Sequence, residues 1–342
     1  MAAQQNPIVL QNQTDDLPLL LIHRPPFFTI LPLTHLLSRH FHLLDPHLQP
    51  PSPSHPLPLD DFLSLHAPSL RAVVVVGIHP FTADHLRLLP SLELVAGTSV
   101  GTDHIDVAAC RRRGIAVTHA GYAFTEDVAD YAVALLIDVL RRVSASDRYV
   151  RSGLWPVRGE YKLGSKLGRK RIGIVGLGRI GSKVANRLRA FGCRIAYNSR
   201  KEKPSVPFPF YSNVCDLASE SDVLVVCCSL TAETHHIINK DVMKALGKEG
   251  VMINVGRGAL VDEQELVRFL MQGEIGGAGL DVFENEPNVP RELFDLDNVV
   301  LSPHSAVITP ESIESMTKLV LANLKAFFAG EPLPSPAQED QI

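Results

Sequence analysis

Three polar residues each come soon after a predicted strand in the second half of the chain. Arg257 follows the apolar run VMINV, Glu286 follows GLDVF, and His304 follows NVVLS. In an open parallel sheet, ligands bind outside the carboxyl ends of the strands, so these side chains are expected to meet at one site. Arginine can hold a carboxylate, histidine can donate a proton at neutral pH, and an adjacent acid can orient the histidine. Taken singly, each would be read as a surface charge or a packed histidine.

A glycine-rich turn lies upstream of these residues, between a predicted strand and a predicted helix. It consists of Gly176, Leu177, Gly178, Arg179, Ile180 and Gly181. Glycines at this spacing let backbone N–H groups approach a pyrophosphate, and the helix N-terminus adds partial positive charge. Because the motif has the required strand and helix around it, it predicts a dinucleotide site.

The next strand ends without the acid that would bind the 2′-hydroxyl of an adenine ribose. Ser199, Arg200 and Lys201 stand there instead. A carboxylate would repel a 2′-phosphate, whereas a hydroxyl and a guanidinium would hydrogen-bond to it and neutralise it. The sequence therefore predicts NADP(H) as cofactor, with NADH weaker. The alternative is that Arg200 and Lys201 are solvated loop charges.

A nucleotide site combined with an arginine, a glutamate and a histidine matches the needs of 2-keto acid reduction. The arginine would hold the carboxylate and polarise the keto oxygen, and the histidine would protonate the developing alkoxide. An anion beside the histidine would orient the ring and favour its protonated form.

The ordered motifs SVGTDHID, GIVGLGRIG, LTAETHHIIN, INVGRGALVDEQEL, GAGLDVFENEP and NVVLSPH resemble those of the D-isomer-specific 2-hydroxyacid dehydrogenases. Within that family, the sequence is most similar to plant-type NADPH-dependent glyoxylate/hydroxypyruvate and hydroxyphenylpyruvate reductases. The resemblance implies reduction of hydroxypyruvate, glyoxylate or hydroxyphenylpyruvate to the D-2-hydroxy acids glycerate, glycolate or hydroxyphenyllactate.

The resemblance also implies a role for each residue of the site. Arg257 would bind substrate, Glu286 would pair with His304, and His304 would be the acid/base. Backbone amides of Val100 and Gly101 would bind the substrate carboxylate. The cofactor would contact the glycine loop, the end of the second strand, Val255 and Asp281. Relatives of this kind usually form homodimers through the coenzyme domain.

Two segments depart from the family pattern, and alternatives to a reductase exist. The sequence reads PHSAVIT where PHxGS is usual, and HAGYAFT where NTPDVLT is usual. Bulky residues at these segments would reshape the pocket wall: Tyr122, Phe124, Ala306, Val307 and Ile308. The non-catalytic alternative is a nucleotide-sensing, corepressor-like protein of the same fold. A formate dehydrogenase would carry Gln in place of Glu286, and a regulated phosphoglycerate dehydrogenase would carry a further C-terminal domain.

The candidate site residues must be positioned by predicted strands, which are apolar runs, and by segments with helical periodicity that alternate with them. Predicted strands are Leu19–Ile22, Ala72–Ile78, Leu92–Ala96, Ile115–Thr118, Arg171–Val175, Arg194–Asn198, Val223–Cys228, Val251–Val255, Gly279–Val282 and Val299–Ser302. Predicted helices include Asp127–Arg142, capped by Thr125, and Glu311–Ala329. This pattern predicts an α/β protein with doubly wound parallel sheets in two Rossmann-like or flavodoxin-like domains, with a cleft between them.

The length of 342 residues suggests about two domains. The expected division is a substrate domain of residues 1–121 plus 306–342 and an NADP-binding Rossmann domain of residues 122–305. The net charge of −4 gives no general attraction to nucleic acid or membrane. A proline-rich surface loop is expected between Pro46 and Pro58. The chain ends carry no recognisable targeting signal, so a cytoplasmic protein is expected.

The cysteines and histidines suggest neither disulfides nor a metal centre. The five cysteines form no CxxC pair and are expected to be reduced and buried. Among fourteen histidines, the pairs His40/His42 and His235/His236 have no acid or cysteine ligand at site spacing. No metal is therefore expected.

Overall fold

The computed structural model describes residues 17–26, 30–47 and 59–337. Residues 48–58 of the predicted proline-rich loop lie outside that range, as do most of the N-terminal segment and the last residues, from which the localisation was predicted.

Helices and strands alternate along most of the described chain. The strands are β1 Leu19–His23, β2 His42–Leu44, β3 Ala72–Val75, β4 Leu94–Gly97, β5 Ala116–Thr118, β6 Arg171–Val175, β7 Arg194–Asn198, β8 Val223–Val226, β9 Val251–Asn254, β10 Gly277–Leu280 and β11 Val299–Leu301. The helices are α1 Leu31–Leu37, α2 Leu59–His66, α3 Ala83–Leu88, α4 Val107–Arg112, α5 Thr125–Arg141, α6 Val143–Arg151, α7 Trp155–Arg158, α8 Arg179–Ala190, α9 Val214–Ser219, α10 Lys240–Leu246, α11 Glu263–Gln272 and α12 Pro310–Ala329. Two 3₁₀ turns cover Gly258–Leu260 and Arg291–Leu293.

The first sheet is parallel, with strand order β2-β1-β3-β4-β5. This is the flavodoxin-like order of a doubly wound fold. The central strand β3 reads AVVV, and all four of its residues are buried. Continuous apolar runs of this kind suit a sheet covered by helices on both faces.

The second sheet is also parallel, with strand order β11-β10-β9-β8-β6-β7. Beyond β7 the sheet is extended by a parallel bridge between Tyr197 and Phe210. The chain order reverses between β6 and β8, and in such folds ligands bind at the carboxyl ends of the strands on either side of that point.

The chain divides into two compact units. One comprises the residues up to Gly121 together with those from Ile313 onward, and the other runs from Tyr122 to Ser312. Residues 306–312, expected in the substrate domain, therefore belong with the second unit. The cause is local, since the amide of Ala306 donates to Asp281 and the hydroxyl of Thr309 donates to Asp127 at 2.6 Å.

Element boundaries differ from the predicted ones where turns intervene. Helix α5 begins at Thr125, so Thr125 is not its N-cap; the preceding chain already turns, with the amide of Thr125 bonded to the Tyr122 carbonyl. Strand β3 ends at Val75, because Gly77 takes a positive φ of 65°. The short edge strand β2 was not predicted.

The cysteines are all free, but only Cys110 and Cys193 are fully buried. Cys215, Cys227 and Cys228 are partly exposed. Within the described ranges, every helix is too short or too polar to cross a bilayer.

Candidate active site

His304 and Glu286 form a hydrogen-bonded pair in the second unit. Nδ1 of His304 lies 2.9 Å from Oε2 of Glu286, and both side chains are about three-quarters buried. The other carboxylate oxygen of Glu286 accepts the Phe283 N–H at 3.1 Å. With Nδ1 engaged by the acid, Nε2 is the nitrogen left for a substrate.

The ionisation of Glu286 fits this pairing. Burial alone would raise its pKa, but the hydrogen bond and charge of His304, helped by Phe283 N–H and by the charge of Arg257, hold the pKa below its usual value. Glu286 is therefore an anion at neutral pH and can stabilise a protonated imidazole beside it.

Asp281, at the end of β10, anchors the loop that carries His304. Its buried carboxylate accepts the Ser302 hydroxyl at 2.7 Å, the Ser305 amide at 2.8 Å and the Ala306 amide at 3.1 Å. Its own carbonyl accepts the His304 amide at 2.7 Å. The sequence suggested Asp281 as a cofactor contact and gave no sign of this anchoring role, which depends on the path of the loop.

The anchored loop holds His304 in an uncommon backbone conformation. The φ angle of His304 is +52°, a left-handed value that is uncommon outside glycine, although asparagine, aspartate and histidine adopt it more often than other residues. Such a conformation persists only where the surroundings impose it, as the bonds to Asp281 do here.

Arg257 lies directly before the 3₁₀ turn that follows β9. Asn254, at the end of β9, is buried, and its side-chain amide donates to the Arg257 carbonyl at 2.8 Å. Gly258 packs against the Phe283 backbone so closely that a Cβ would lie 1.9 Å from the Phe283 carbonyl carbon. The loops that present Arg257 and Glu286 are therefore in contact, and a guanidinium, a carboxylate and an imidazole belong to one site. Such a set can bind an anion and protonate an adjacent oxygen.

The glycine loop between β6 and α8 has the geometry of a pyrophosphate cradle. A Cβ on Gly176 would lie 2.5 Å from the Cys228 backbone, and one on Gly181 would lie 2.2 Å from the Gly176 carbonyl oxygen. A Cβ on Gly178 would meet nothing within 4 Å, so the space above it is open to a ligand. Leu177 is buried, and Arg179 and Ile180 open helix α8. Gly176 and Gly181 thus allow close packing of the backbone, and Gly178 leaves room for the ligand, as in dinucleotide-binding folds.

A groove of about 790 Å³ adjoins this cradle. It is lined by Tyr122, Thr125, Glu126, Gly178, Arg179, Ser182, Lys183 and Lys203. Lys203 was not singled out from the sequence, yet its ammonium donates to the Leu177 carbonyl at 2.6 Å. The groove therefore combines a helix N-terminus with three cationic side chains, which suits a phosphate-bearing ligand.

Ser199, Arg200 and Lys201 lie on a loop pinned at both ends. The Asn198 side chain donates to the carbonyls of Tyr211 and Ser212, and the Tyr197 amide donates to Pro209. Ser199 donates to the Lys201 carbonyl at 2.6 Å, and Arg200 and Lys201 are exposed. Val255, another expected cofactor contact, is buried just after β9.

The expected substrate contacts in the first unit follow β4. Val100 and Gly101 are half-buried, and their turn is fixed by the Ser99 hydroxyl, which donates to the Gly101 carbonyl at 2.7 Å. Of the residues named for the pocket wall, Phe124 and Ala306 are buried, whereas Tyr122 and Ile308 are exposed.

A second group of ionisable side chains lies outside these contacts. Glu284, remote in sequence, supplies the acid beside His235 and His236 that residue spacing had not revealed. Nε2 of His236 lies 2.7 Å from Oε1 of Glu284.

Comparison with known proteins agrees with this geometry. Residues 133–306 match the family model of the D-isomer specific 2-hydroxyacid dehydrogenase, NAD binding domain. The chain belongs to the D-isomer specific 2-hydroxyacid dehydrogenases. The matched region contains the glycine loop, Arg257, Glu286 and His304, so the whole hydrogen-bonded set lies in the NAD binding domain of this family.

Curated members of the 2-hydroxyacid dehydrogenase family resemble the chain over most of its length. A glyoxylate/hydroxypyruvate reductase of Arabidopsis thaliana is 57% identical, over 96% of this chain and 99% of its own. A hydroxyphenylpyruvate reductase of Plectranthus scutellarioides is 51% identical, over 81% of this chain and 88% of its own. Both relatives are named as enzymes, which gives no support to a corepressor.

Solved structures of 2-hydroxyacid dehydrogenases share the fold. An NADPH-dependent glyoxylate/hydroxypyruvate reductase of Sinorhizobium meliloti, in complex with NADP and malonate, is 36% identical with a TM-score of 0.85. The match covers 95% of this chain and 98% of that one.

Proposed function

We propose that the chain is an NADPH-dependent reductase of small 2-keto acids. The observation that carries the proposal is the 2.9 Å contact between His304 and Glu286, in the same unit as Arg257 and the glycine loop. This arrangement offers a proton donor, its orienting anion and a cation for the substrate carboxylate. The two curated relatives are named as reductases of glyoxylate and hydroxypyruvate and of hydroxyphenylpyruvate.

Each residue of the set has one task in the proposed reaction. Reduced nicotinamide, when bound, supplies the hydride to the keto carbon. Arg257 binds the carboxylate and polarises the keto oxygen. His304 donates a proton from Nε2 to that oxygen, and the Glu286 anion stabilises the imidazolium before transfer. Asp281 keeps the His304 loop in place through Ser305 and Ala306.

NADPH is the proposed cofactor, and NADH is expected to bind more weakly. Ser199, Arg200 and Lys201 follow β7, where an acid would select the free ribose hydroxyl. Arg200 and Lys201 are exposed, and a 2′-phosphate would gain charge-assisted hydrogen bonds from them. The Sinorhizobium meliloti relative, which was solved with NADP, supports this choice.

Hydroxypyruvate and glyoxylate are the proposed substrates, ahead of hydroxyphenylpyruvate. The catalytic set requires only a 2-keto carboxylate, and the relative named as a glyoxylate/hydroxypyruvate reductase is 57% identical, against 51% for the hydroxyphenylpyruvate reductase. The test is kcat/KM for the three acids with NADPH, followed by absorbance loss. A preference for hydroxyphenylpyruvate above about tenfold, or ~1.4 kcal/mol in transition-state binding, would overturn the order. Absence of turnover with every acid would refute the reductase itself.

A homodimer in the cytoplasm completes the proposal. Large apolar side chains are exposed within residues 143–163, among them Trp155 at 62% and Leu163 at 94%. Covering this surface with a second copy would remove it from water. The five free cysteines suit a reducing compartment. Light scattering at micromolar concentration tests the dimer, and a monomer mass would contradict it.

A further inference from the structure

Two adjacent histidines and a glutamate form a compact cluster apart from the His304–Glu286 pair. His235 and His236 lie in the turn after β8, and Glu284 lies after β10. The two imidazole rings stack with centroids 4.0 Å apart, and Nε2 of His236 lies 2.7 Å from the Glu284 carboxylate. One ligand atom from each residue falls within 4.8 Å of the others.

We propose that His235, His236 and Glu284 bind one divalent transition ion of the Zn²⁺ type. Two imidazole nitrogens and one carboxylate oxygen are ligands that Zn²⁺ prefers, and a water would take the fourth tetrahedral position. His235 and Glu284 are exposed, so an ion can enter from solvent. The stacked His235 ring must rotate to direct a nitrogen at the ion, and its exposure leaves room for that rotation.

The cluster lies where negative charge accumulates. Glu263, at the start of α11, accepts the Glu284 amide at 3.1 Å. The Glu286 carboxylate belongs to the same loop, two residues beyond Glu284. A cation at Glu284 would offset the repulsion among these three carboxylates.

The backbone around the cluster is already fixed, so binding would order few groups. The His236 amide donates to the Ala259 carbonyl at 2.9 Å, and the Ile238 amide donates to Leu260 at 3.0 Å. The segment that carries the histidines is thereby tied to the turn after Arg257. Because Glu284 belongs to the loop that presents Glu286, a bound ion would link the two loops of the active site.

The test is isothermal titration calorimetry of the chelator-treated full chain with Zn²⁺, together with the melting temperature of the chain with and without the ion. We expect one ion per chain at this site and a rise in melting temperature of about 3–5 °C at ten times Kd. His235→Ala should weaken binding by at least ~10–100-fold, because it removes a ligand. The melting temperature without metal should not change, since the variant keeps the His236–Glu284 contact. Mg²⁺, which prefers a full set of oxygen ligands, should not bind.

Two further variants separate this site from other histidines. His42→Ala, an exposed change on β2, should leave the affinity for Zn²⁺ unchanged. Glu284→Gln should weaken binding as His235→Ala does. The proposal is overturned if wild type and His235→Ala bind Zn²⁺ equally, or if His304→Ala abolishes binding while His235→Ala retains it.

Discussion

Nδ1 of His304 lies 2.9 Å from Oε2 of Glu286, although the two residues are on loops that follow different strands. The contact fixes the ring because Glu286 is itself held by the Phe283 amide. The imidazole is thus presented with one nitrogen committed to an anion and the other left for proton transfer.

Removing the imidazole should abolish most turnover. We expect His304→Ala to lower kcat for hydroxypyruvate by about 10²–10⁴-fold, the usual contribution of a general acid. The dissociation constant of NADPH should change little, because the glycine loop is untouched. Steady-state kinetics and fluorescence titration measure the two quantities. His304→Asn is the matched control for backbone strain, since asparagine accepts a positive φ. Near-normal turnover in both variants would show that another group donates the proton.

Two glycine substitutions should separate cofactor binding from folding. Gly178→Ala adds a methyl into open space, so stability should change by less than ~0.5 kcal/mol while NADPH affinity falls. Gly181→Ala places a methyl 2.2 Å from the Gly176 carbonyl oxygen and should lower the free energy of unfolding by about 1–3 kcal/mol. Denaturant unfolding and NADPH titration distinguish the two. Unchanged NADPH affinity in Gly178→Ala would place the pyrophosphate elsewhere.

Arg200→Ala should weaken NADPH binding selectively. Loss of one charge-assisted contact to the 2′-phosphate should cost about 1.5–3 kcal/mol, and NADH, which lacks that phosphate, should be affected little. Dissociation constants of both cofactors for wild type and variant provide the test. Arg194→Ala, at an exposed position on β7, serves as the charge-matched control. An equal loss for both cofactors would mean that Arg200 does not select NADPH.

His23 should make the first unit sensitive to acid. It is buried, with Nε2 2.9 Å from the Pro80 carbonyl oxygen. Burial, helped by the charges of His79, His85 and His47, lowers its pKa from 6.5 to about 3. Between these two pKa values the unfolded chain binds a proton at His23 and the folded chain does not. The contribution of His23 to the free energy of unfolding is therefore present above pH 6.5 and is lost as the pH falls toward 3.

The pH dependence of unfolding measures this loss. Uptake of this single proton on unfolding makes the free energy of unfolding fall by about 1.4 kcal/mol for each pH unit between the two pKa values. We expect His23→Asn to reduce this slope by about that amount in urea unfolding between pH 6.5 and 4.5. In that range folded His23 stays unprotonated. His42→Asn, on the exposed edge of β2, should leave the slope unchanged. Identical slopes in wild type and His23→Asn would contradict the prediction.

The sequence predicts the elements and the strand-end residues better than it predicts the contacts among loops. Arg257, Glu286 and His304 could be grouped because the carboxyl ends of parallel strands share one edge of a sheet. The anchoring of the His304 loop by Asp281 could not be read in advance, because two of its three partners are backbone amides whose positions depend on the fold. Glu284 reaches His236 across a large sequence separation, which residue spacing does not encode.

The loop between Asn198 and Tyr211 is held at its ends through Asn198 and Tyr197, and inside it the Lys203 amide donates to the Tyr197 hydroxyl. The exposed side chains of Arg200 and Lys201 can therefore be exchanged without breaking these bonds to β7. Natural variation in that short stretch would let a lineage exchange one nicotinamide pool for another, and so move between reductive and oxidative metabolism, while inheriting the same catalytic histidine unchanged. Laboratory redesign of coenzyme preference can begin from the same stretch.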